Sequence, residues 1–133
     1  MRYPSVFGAS LAAALAFAPF AGARGQSGDP EAGKRVFNQC SACHTINEGG
    51  PNRVGPNLHG VIGRKAAAKE GFRYSSAMQK KGEEGLVWSE DVLRPNLRNP
   101  REVVPGTNMA FPGLRQDQQI TDVIAYLKQQ SGG

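Results

Sequence analysis

Apolar residues recur at helical spacing in the last part of the chain. Ile120, Val123, Ile124 and Leu127 follow one another at intervals that place them on one face of a helix. Near the other end, the run Asp29-Pro30-Glu31 has the form of a helix start, with an N-cap acid, a proline at the first helical position and a second acid in the first turn. These patterns predict a helix at each end of one domain.

Two shorter helices are predicted between them. One is a short helix around Ser75 to Lys81, ended by Gly82, and the other begins at Ser89 as its N-cap. No alternating apolar and polar run is long enough for a strand, so the sequence predicts an all-α domain of three to five helices. The loops between these helices are long, which is uncommon in a small domain unless something else organises them.

The first 23 residues have the pattern of a secretory signal peptide. A short basic start precedes a mostly apolar run, and Ala21-Gly22-Ala23 has the small-x-small form of a cleavage site. The alternative is an uncleaved signal that anchors the chain in a membrane, although Pro19 and Gly22 interrupt the apolar run. The sequence therefore predicts export to the periplasm and a mature domain at residues 24–133.

The charge balance is basic, with a formal net charge of +5 over the whole chain. Cleavage after Ala23 would remove Arg2 and no acid, which leaves +4. Charges of both signs are mixed along the chain, and aromatic residues are not interleaved with the basic ones, so the pattern does not favour nucleic-acid binding. It is more typical of a protein that meets acidic patches on other proteins or an anionic membrane surface.

The chain has two cysteines, both in the run Cys40-Ser41-Ala42-Cys43-His44. Cys-x-x-Cys-His is the attachment signature of a c-type haem. Two thiols three positions apart on one helical turn can each add to a vinyl group of the haem, and the adjacent His44 is then held beneath the iron as a ligand. The motif predicts one haem c per chain, covalently bound through Cys40 and Cys43.

The same motif has three other interpretations. A thioredoxin-like redox pair normally occurs in a βαβ context, and no such pattern is present. A zinc site needs four ligands, or three and a water, and beyond the motif only His59 is available. A structural disulfide would leave the histidine next to Cys43 without a role.

One methionine lies in a loop framed by prolines and glycines, from Val103 to Gly113. Thioether sulfur is a soft donor that raises the reduction potential of haem iron when it is paired with histidine. The other two methionines lie in the predicted signal peptide and in a short polar helix, so Met109 is the predicted sixth ligand, opposite His44. His59 offers a bis-histidine alternative, but Asn57 to Gly60 has the pattern of a surface loop.

The predicted mature chain resembles a class I cytochrome c, close to the mitochondrial protein and its soluble bacterial relatives. The likeness covers essentially all of residues 29–130. Motifs in the same order carry it: Cys40-Ser41-Ala42-Cys43-His44-Thr45, Gly55-Pro56-Asn57-Leu58-His59-Gly60, Gly63-Arg64-Lys65, Gly71-Phe72-x-Tyr74, Trp88, Asn99-Pro100, Pro105-Gly106-Thr107-x-Met109 and Asp122-Val123-Ile124-Ala125-Tyr126-Leu127. The resemblance implies the cytochrome c fold, in which helices and long loops wrap around one covalently bound haem.

The resemblance also implies roles for the site residues. His44 and Met109 would be the iron ligands, and the backbone carbonyl of Pro56 would hold the second nitrogen of His44. Gly33 would permit a close approach of the last helix near Tyr126. Four further residues would contact a haem propionate, by hydrogen bonds or, for the arginine, by charge: Tyr74, Trp88, Thr107 and Arg64.

Two departures from the family pattern bear on the potential and on docking. Asn96 stands thirteen positions before Met109, where the family often has a tyrosine that hydrogen-bonds the sulfur. The ring of basic residues that the family has around the haem edge contains fewer members here. Basic residues stand at four of the family positions: Lys34, Arg53, Arg101 and Arg115. Other positions of the ring carry Gln39, Glu102, Asn108 and Gln116. Docking is therefore expected to depend less on salt than in a lysine-ringed homologue.

An iron whose two axial positions are filled by protein has no open position for a substrate. The resemblance therefore implies a monomeric, non-enzymatic carrier of single electrons between respiratory, photosynthetic or dehydrogenase partners. It would dock transiently, at the haem edge, on a quinol:cytochrome c reductase, a terminal oxidase, a reaction centre or a dehydrogenase. The alternatives are a haem enzyme or gas-binding sensor with a labile Met109 bond, and a dedicated electron-accepting subunit of a periplasmic dehydrogenase.

Overall fold

The computed structural model describes residues 27–132. Five helices follow one another: α1 (Pro30–Phe37), α2 (Ser76–Glu83), α3 (Glu90–Arg98), α4 (Pro100–Val103) and α5 (Asp117–Gln129). Between residues 27 and 132 there is no β-strand, and a single antiparallel bridge joins Lys65 to Val87. The prediction of an all-α domain with three to five helices is confirmed. The predicted signal peptide, residues 1–23, lies outside the described residues.

None of these five helices has both the length and the apolar character that a membrane crossing requires. The first three begin at side-chain caps. Asp29, Ser75 and Ser89 are the N-caps of α1, α2 and α3, and each accepts a backbone N–H of the first turn, at 2.9, 3.1 and 3.3 Å. Such bonds satisfy donors that the start of a helix leaves unpaired, which is why short polar residues mark these starts in the sequence.

The predicted end of α2 is wrong, because the helix continues through Gly82 to Glu83. Gly82 is buried, and a Cβ at this position would lie 2.5 Å from the carbonyl oxygen of Ala66. The residue that ends the helix is Gly85, with a left-handed φ of +86°. The N–H groups of Gly85 and of the next residue bond to carbonyl groups of the last turn at 3.0 Å. Close packing and helix termination both favour glycine, and the sequence does not distinguish them.

Helices α1 and α5 make the most extensive contact between elements. Gly33 lies against the backbone of Asp122, where a Cβ would come 2.6 Å from the carbonyl carbon and 2.9 Å from the Cβ of Tyr126. The rings of Phe37 and Tyr126 pack with their centroids 5.5 Å apart. The close approach predicted for Gly33 is confirmed. This crossing also positions the turn that carries the cysteines, which follows α1 directly.

The buried core is assembled from α1, α3, α5 and the loops between them. Its apolar members are Phe37, Val61, Ala66, Trp88, Leu93, Leu97, Val104, Leu114, Ile120, Val123, Ile124, Tyr126 and Leu127. Three polar residues are buried with them: Asn57, Asn96 and Asp122. Buried polar side chains normally have hydrogen-bond partners, so each of these three needs a structural or functional explanation.

Candidate haem-binding site

A tight turn after α1 carries both cysteines and the histidine. The N–H groups of Cys43 and His44 both bond to the carbonyl of Cys40, at 3.0 and 2.9 Å. The two cysteines are free thiols and partly buried. Burial, with a smaller effect of Cys43, raises the pKa of Cys40 to about 11, so this thiol is neutral at physiological pH. Both side chains thus belong to one turn, next to His44, as double attachment of a haem requires.

The imidazole of His44 is held by a backbone carbonyl. Its Nδ1 lies 2.7 Å from the carbonyl oxygen of Pro56. A carbonyl oxygen only accepts hydrogen bonds, so Nδ1 carries the proton and Nε2 keeps its lone pair. Burial lowers the pKa of His44, against the opposing effect of the bond to Pro56. The neutral ring with an unprotonated Nε2 is the form that binds a metal.

The backbone of Gly55 packs closely against the same ring, a contact that no pattern in the sequence predicted. A Cβ at this position would come 2.6 Å from Nδ1 and 2.8 Å from Nε2 of His44. The N–H of Gly55 donates to the carbonyl of Cys43 at 2.8 Å, which ties the Gly55-Pro56 segment to the cysteine turn. Backbone therefore covers one side of the imidazole and fixes the plane of the ring.

Asn57 connects this segment to its surroundings, a role that no pattern in the sequence predicted. It is only 1% exposed. Its side-chain amide donates to Thr45 Oγ1 and to the carbonyl of Asn47, at 2.7 and 2.9 Å. Its own carbonyl accepts Arg64 at 3.0 Å. Because asparagine is also an ordinary turn residue, the sequence contains no signal that separates this role from a surface turn.

Asn57 to Gly60 is a loop, as predicted, but its predicted surface position is wrong for Asn57. Asn57 is buried, and Leu58 and His59 are partly buried. The Asn57 side chain also accepts the N–H of His59 at 3.1 Å. A loop can be partly buried when its polar backbone groups find partners. Here the Asn57 side chain supplies one of them, and the others come from Thr45, Arg64 and Gln130.

Arg64 is a half-buried cation beside Trp88. Their backbones pair, with the N–H of Trp88 donating to the carbonyl of Arg64 at 2.9 Å. The guanidinium donates to the carbonyls of Asn57 and His59, at 3.0 and 3.3 Å, and forms no ion pair with a carboxylate in residues 27–132. Burial lowers its pKa, against the opposing effect of Tyr74. A half-buried cation without a counter-ion fits an anionic group such as a haem propionate.

Trp88 and Tyr74 each keep a donor for such a group. Trp88 is 9% exposed, and within the described part of the chain its indole N–H has no hydrogen-bond partner. The Tyr74 hydroxyl accepts the N–H of Lys69 at 3.1 Å, which leaves its own proton to donate. Phe72 packs edge-on against Tyr74, with centroids 4.8 Å apart, and holds the phenol ring. Both free donors suit a carboxylate acceptor.

The loop that carries Met109 is anchored at its two ends. The N–H of Thr107 bonds to the carbonyl of Val104 at 3.0 Å, and the N–H of Leu114 bonds to the carbonyl of Leu97 at 2.8 Å. Thr107 Oγ1 accepts the N–H of Met109 at 3.2 Å, so the threonine shapes the loop and still has a hydroxyl proton to donate. Met109 itself is partly buried. Its role as a ligand stays a prediction.

These features define the class of protein. Two thiols and a histidine share one turn, and the Nε2 lone pair of the histidine is free. The same domain contains Arg64, which has no counter-ion, and two side chains with a free hydrogen-bond donor, Trp88 and Tyr74. The residues fit a haem c attached through Cys40 and Cys43, and in residues 27–132 no cluster of three or more His, Cys, Asp or Glu side chains is placed to bind a bare metal ion. The fold and the site are those of an all-helical protein that carries a c-type haem.

Comparison with known proteins gives the family. The family model described as Cytochrome c matches residues 30–131. The chain is 50% identical over 97 residues to cytochrome c2 of Afifella marina, a match that covers 73% of this chain and 78% of the relative. It is 44% identical over 120 residues to cytochrome c-554 of Methylosinus trichosporium, a match that covers 90% of this chain and 89% of the relative. It is 41% identical over 103 residues to cytochrome c of Ginkgo biloba, which covers 77% of this chain and 88% of the relative. The chain belongs to the cytochrome c family. Its cofactor is a covalently bound haem c, and its function is to carry electrons.

Proposed function

We propose that this protein is a non-enzymatic one-electron carrier whose haem iron is ligated by His44 and Met109. The geometry of His44 is the main support. Its Nδ1 donates to the carbonyl of Pro56 at 2.7 Å, which leaves the lone pair of Nε2 free to bind iron next to Cys40 and Cys43 in the chain. When bound, the haem supplies a one-electron redox couple. If His44 and Met109 both bind the iron, they would leave it no position open to a substrate.

The remaining site residues would orient the haem and set its potential. Pro56 and Gly55 fix the His44 ring, and Thr107 shapes the loop of Met109. A cation near the haem favours the reduced iron, which carries one positive charge fewer. The side chains that donate toward a propionate are Arg64, Tyr74 and Trp88.

The proposed partners are redox proteins that bind transiently at the haem edge. A quinol:cytochrome c reductase, a terminal oxidase, a reaction centre or a dehydrogenase has the required chemistry. The basic net charge, +4 after removal of residues 1–23, supports docking on acidic surfaces. The signal-peptide pattern supports a periplasmic location, and a short-lived encounter suits a monomer with a small interface.

The test is a redox titration of the haem-loaded protein and its Met109→Ala variant, with Met78→Ala as the matched control. Met78 is partly buried and packs against the core, so its loss should leave the ligation unchanged. Met109→Ala should lower the reduction potential and open the iron to external ligands. The reduced parent, folded at neutral pH, should not bind carbon monoxide, whereas reduced Met109→Ala should bind it.

Three results would contradict parts of this proposal. Rapid and tight binding of carbon monoxide by the parent would favour a haem enzyme or gas sensor. An unchanged spectrum in Met109→Ala would remove this residue as a ligand. A dehydrogenase that stays bound through purification would favour a dedicated electron-accepting subunit.

A further inference from the structure

The loop that carries Met109 is fixed mainly at its two ends. Among residues 108–113, one backbone N–H forms a hydrogen bond in the described part of the chain, that of Met109, and its acceptor, Thr107 Oγ1, belongs to the same loop. Phe111 packs against the core, but the prolines and glycines around it prevent a helix or a strand from forming there. The position of Met109 therefore depends on how firmly each end of the loop is held.

The returning end of the loop packs against the last turn of α3. Gly113 has a left-handed φ of +103°, and a Cβ at this position would lie 2.7 Å from the carbonyl carbon of Arg98 and 3.3 Å from the carbonyl oxygen of Leu97. The next N–H, that of Leu114, donates to the carbonyl of Leu97 at 2.8 Å. Glycine is the residue that permits both this conformation and this close approach.

Arg98 holds the same segment with its side chain. Its guanidinium donates to the carbonyl of Arg115 at 3.1 Å and pairs with the carboxylate of Asp117, the first residue of α5. A planar guanidinium can engage two acceptors at once, which the single ammonium group of a lysine does not reproduce. We name these contacts, between Leu97 and Arg98 on α3 and residues 113–117, the loop anchor.

The loop anchor lies at the surface. The side chains of Arg98 and Asp117 are 46% and 87% exposed, so their ion pair contributes little to the stability of the whole fold. Its effect on the loop is different, because a segment with few other contacts can open locally while the rest of the protein stays folded. Opening of the returning end would carry Met109 with it.

We propose that Arg98 is a positioning residue for the sixth ligand, because it holds the returning end of the loop and so limits how often Met109 leaves the iron. The inference rests on the proposed function, in which Met109 is a ligand, and it adds the residue that sets how firmly this ligand is held. Arg98 acts through the loop and needs no contact with the haem.

The first measurement is the rate at which imidazole replaces the sixth ligand of the oxidised, haem-loaded protein, followed in the absorption spectrum. When the loop must open before imidazole binds, this rate is proportional to the open population. Arg98→Gln should raise the rate about fivefold, the size expected for the net loss of one hydrogen bond. Arg94→Gln is the matched control, since it makes the same change one turn earlier in α3, at an exposed arginine that donates to Thr121. Its rate should equal that of the parent.

Hydrogen exchange at the Leu114 amide is a second readout, and it does not depend on the iron. This N–H is bonded within the loop anchor, so its exchange should be about fivefold faster in Arg98→Gln and unchanged in Arg94→Gln. Arg98→Lys keeps the charge but engages fewer acceptors, and both of its rates should lie between those of the parent and of Arg98→Gln. The denaturation midpoints of the parent, Arg98→Gln and Arg94→Gln should be similar, because both arginines are exposed.

The outcomes separate this inference from the proposed function. Equal imidazole rates for Arg98→Gln and the parent, or equal increases in Arg98→Gln and Arg94→Gln, would overturn the role of Arg98. In a Met109→Ala background, Arg98→Gln should no longer change the imidazole rate, because the ligand that the loop delivers is gone. An increase that persists in this background would also overturn the inference, since Arg98 would then control access to the haem and not the ligand. An unchanged spectrum in Met109→Ala would overturn the proposed ligation instead.

Discussion

The carboxylate of Asp122, in the last helix, accepts the backbone N–H of Asp29, at the start of the first helix, at 2.9 Å. The same oxygen accepts the side-chain amide of Gln118 at 2.8 Å. Asp122 is only 7% exposed, whereas the residues that donate to it, Asp29 and Gln118, are exposed. One carboxylate therefore joins the N-terminus of α1 to α5, at the crossing that positions the cysteine turn.

Asp122→Ala should lower the free energy of unfolding by about 2–3 kcal/mol, because it removes the buried carboxylate that accepts two hydrogen bonds, from Asp29 and Gln118. Asp122→Asn keeps one acceptor oxygen and should lose only about 1 kcal/mol. The measurement is guanidinium denaturation of the haem-loaded protein. Asp117→Ala is the control, since its ion pair with Arg98 is exposed and should contribute less than about 1 kcal/mol. Equal losses at the two aspartates would contradict the bridging role.

Gly55→Ala should disturb the imidazole of His44 directly. The added methyl group has no room beside the ring, so either the ring or the loop must shift, at a cost of about 2 kcal/mol in stability. We expect a changed reduction potential as well. Gly60→Ala is the control, because Gly60 has a φ of +70° and open space around it, and its cost of about 1–2 kcal/mol is backbone strain alone. If redox titration finds the potential unchanged in both variants, Gly55 does not position His44.

Arg64→Gln should lower the reduction potential. Removing a positive charge near the haem favours the oxidised iron, which carries the greater positive charge. Arg64→Lys keeps the charge but cannot span the two carbonyls that the guanidinium reaches. Its reduction potential should therefore stay close to that of the parent, while its free energy of unfolding should fall by about 1 kcal/mol. Arg94→Gln removes the same charge from an exposed arginine that donates to Thr121. An equal fall of the potential in Arg64→Gln and Arg94→Gln would show an effect of net charge only.

The two buried asparagines should respond oppositely to leucine. Asn96 is 8% exposed, and its side chain has no hydrogen-bond partner in residues 27–132, so Asn96→Leu should leave stability unchanged or raise it by up to about 1 kcal/mol. The side chain of Asn57 donates two bonds and accepts one, so Asn57→Leu should cost about 3 kcal/mol or more. Chemical denaturation of both variants provides the comparison. A loss above about 2 kcal/mol in Asn96→Leu would mean that its amide has a partner inside the holoprotein.

Much of this protein could be predicted from its sequence because the relevant interactions are local. The caps at Asp29, Ser75 and Ser89 bond to residues two or three positions away, so their residue types mark the helix starts. The periodicity of α5 shows directly which of its faces is buried. Cys40, Cys43 and His44 lie within five consecutive residues, and one turn is enough to bring them together.

The predictions that failed, and the roles that were missed, depend on contacts between distant segments. Gly82 looked like a helix end, but it is glycine because Ala66 packs against it. Asn57 to Gly60 looked like a surface loop, but the bonds of Asn57 allow it to be buried. In each case a residue type has two ordinary uses, and only its neighbour in space decides between them.

The sequence by itself determined the chemistry of attachment and the helical class, since both follow from residues that are adjacent along the chain. The tertiary structure decided how His44 is oriented, because the carbonyl of Pro56 and the bare backbone of Gly55 reach the ring from a loop about ten residues further on. It also left Val54 in water beside the cysteine turn. Periodicity reports which residues are buried, but orientation and exposure at a site depend on which segments meet there, and chain folding alone brings them together.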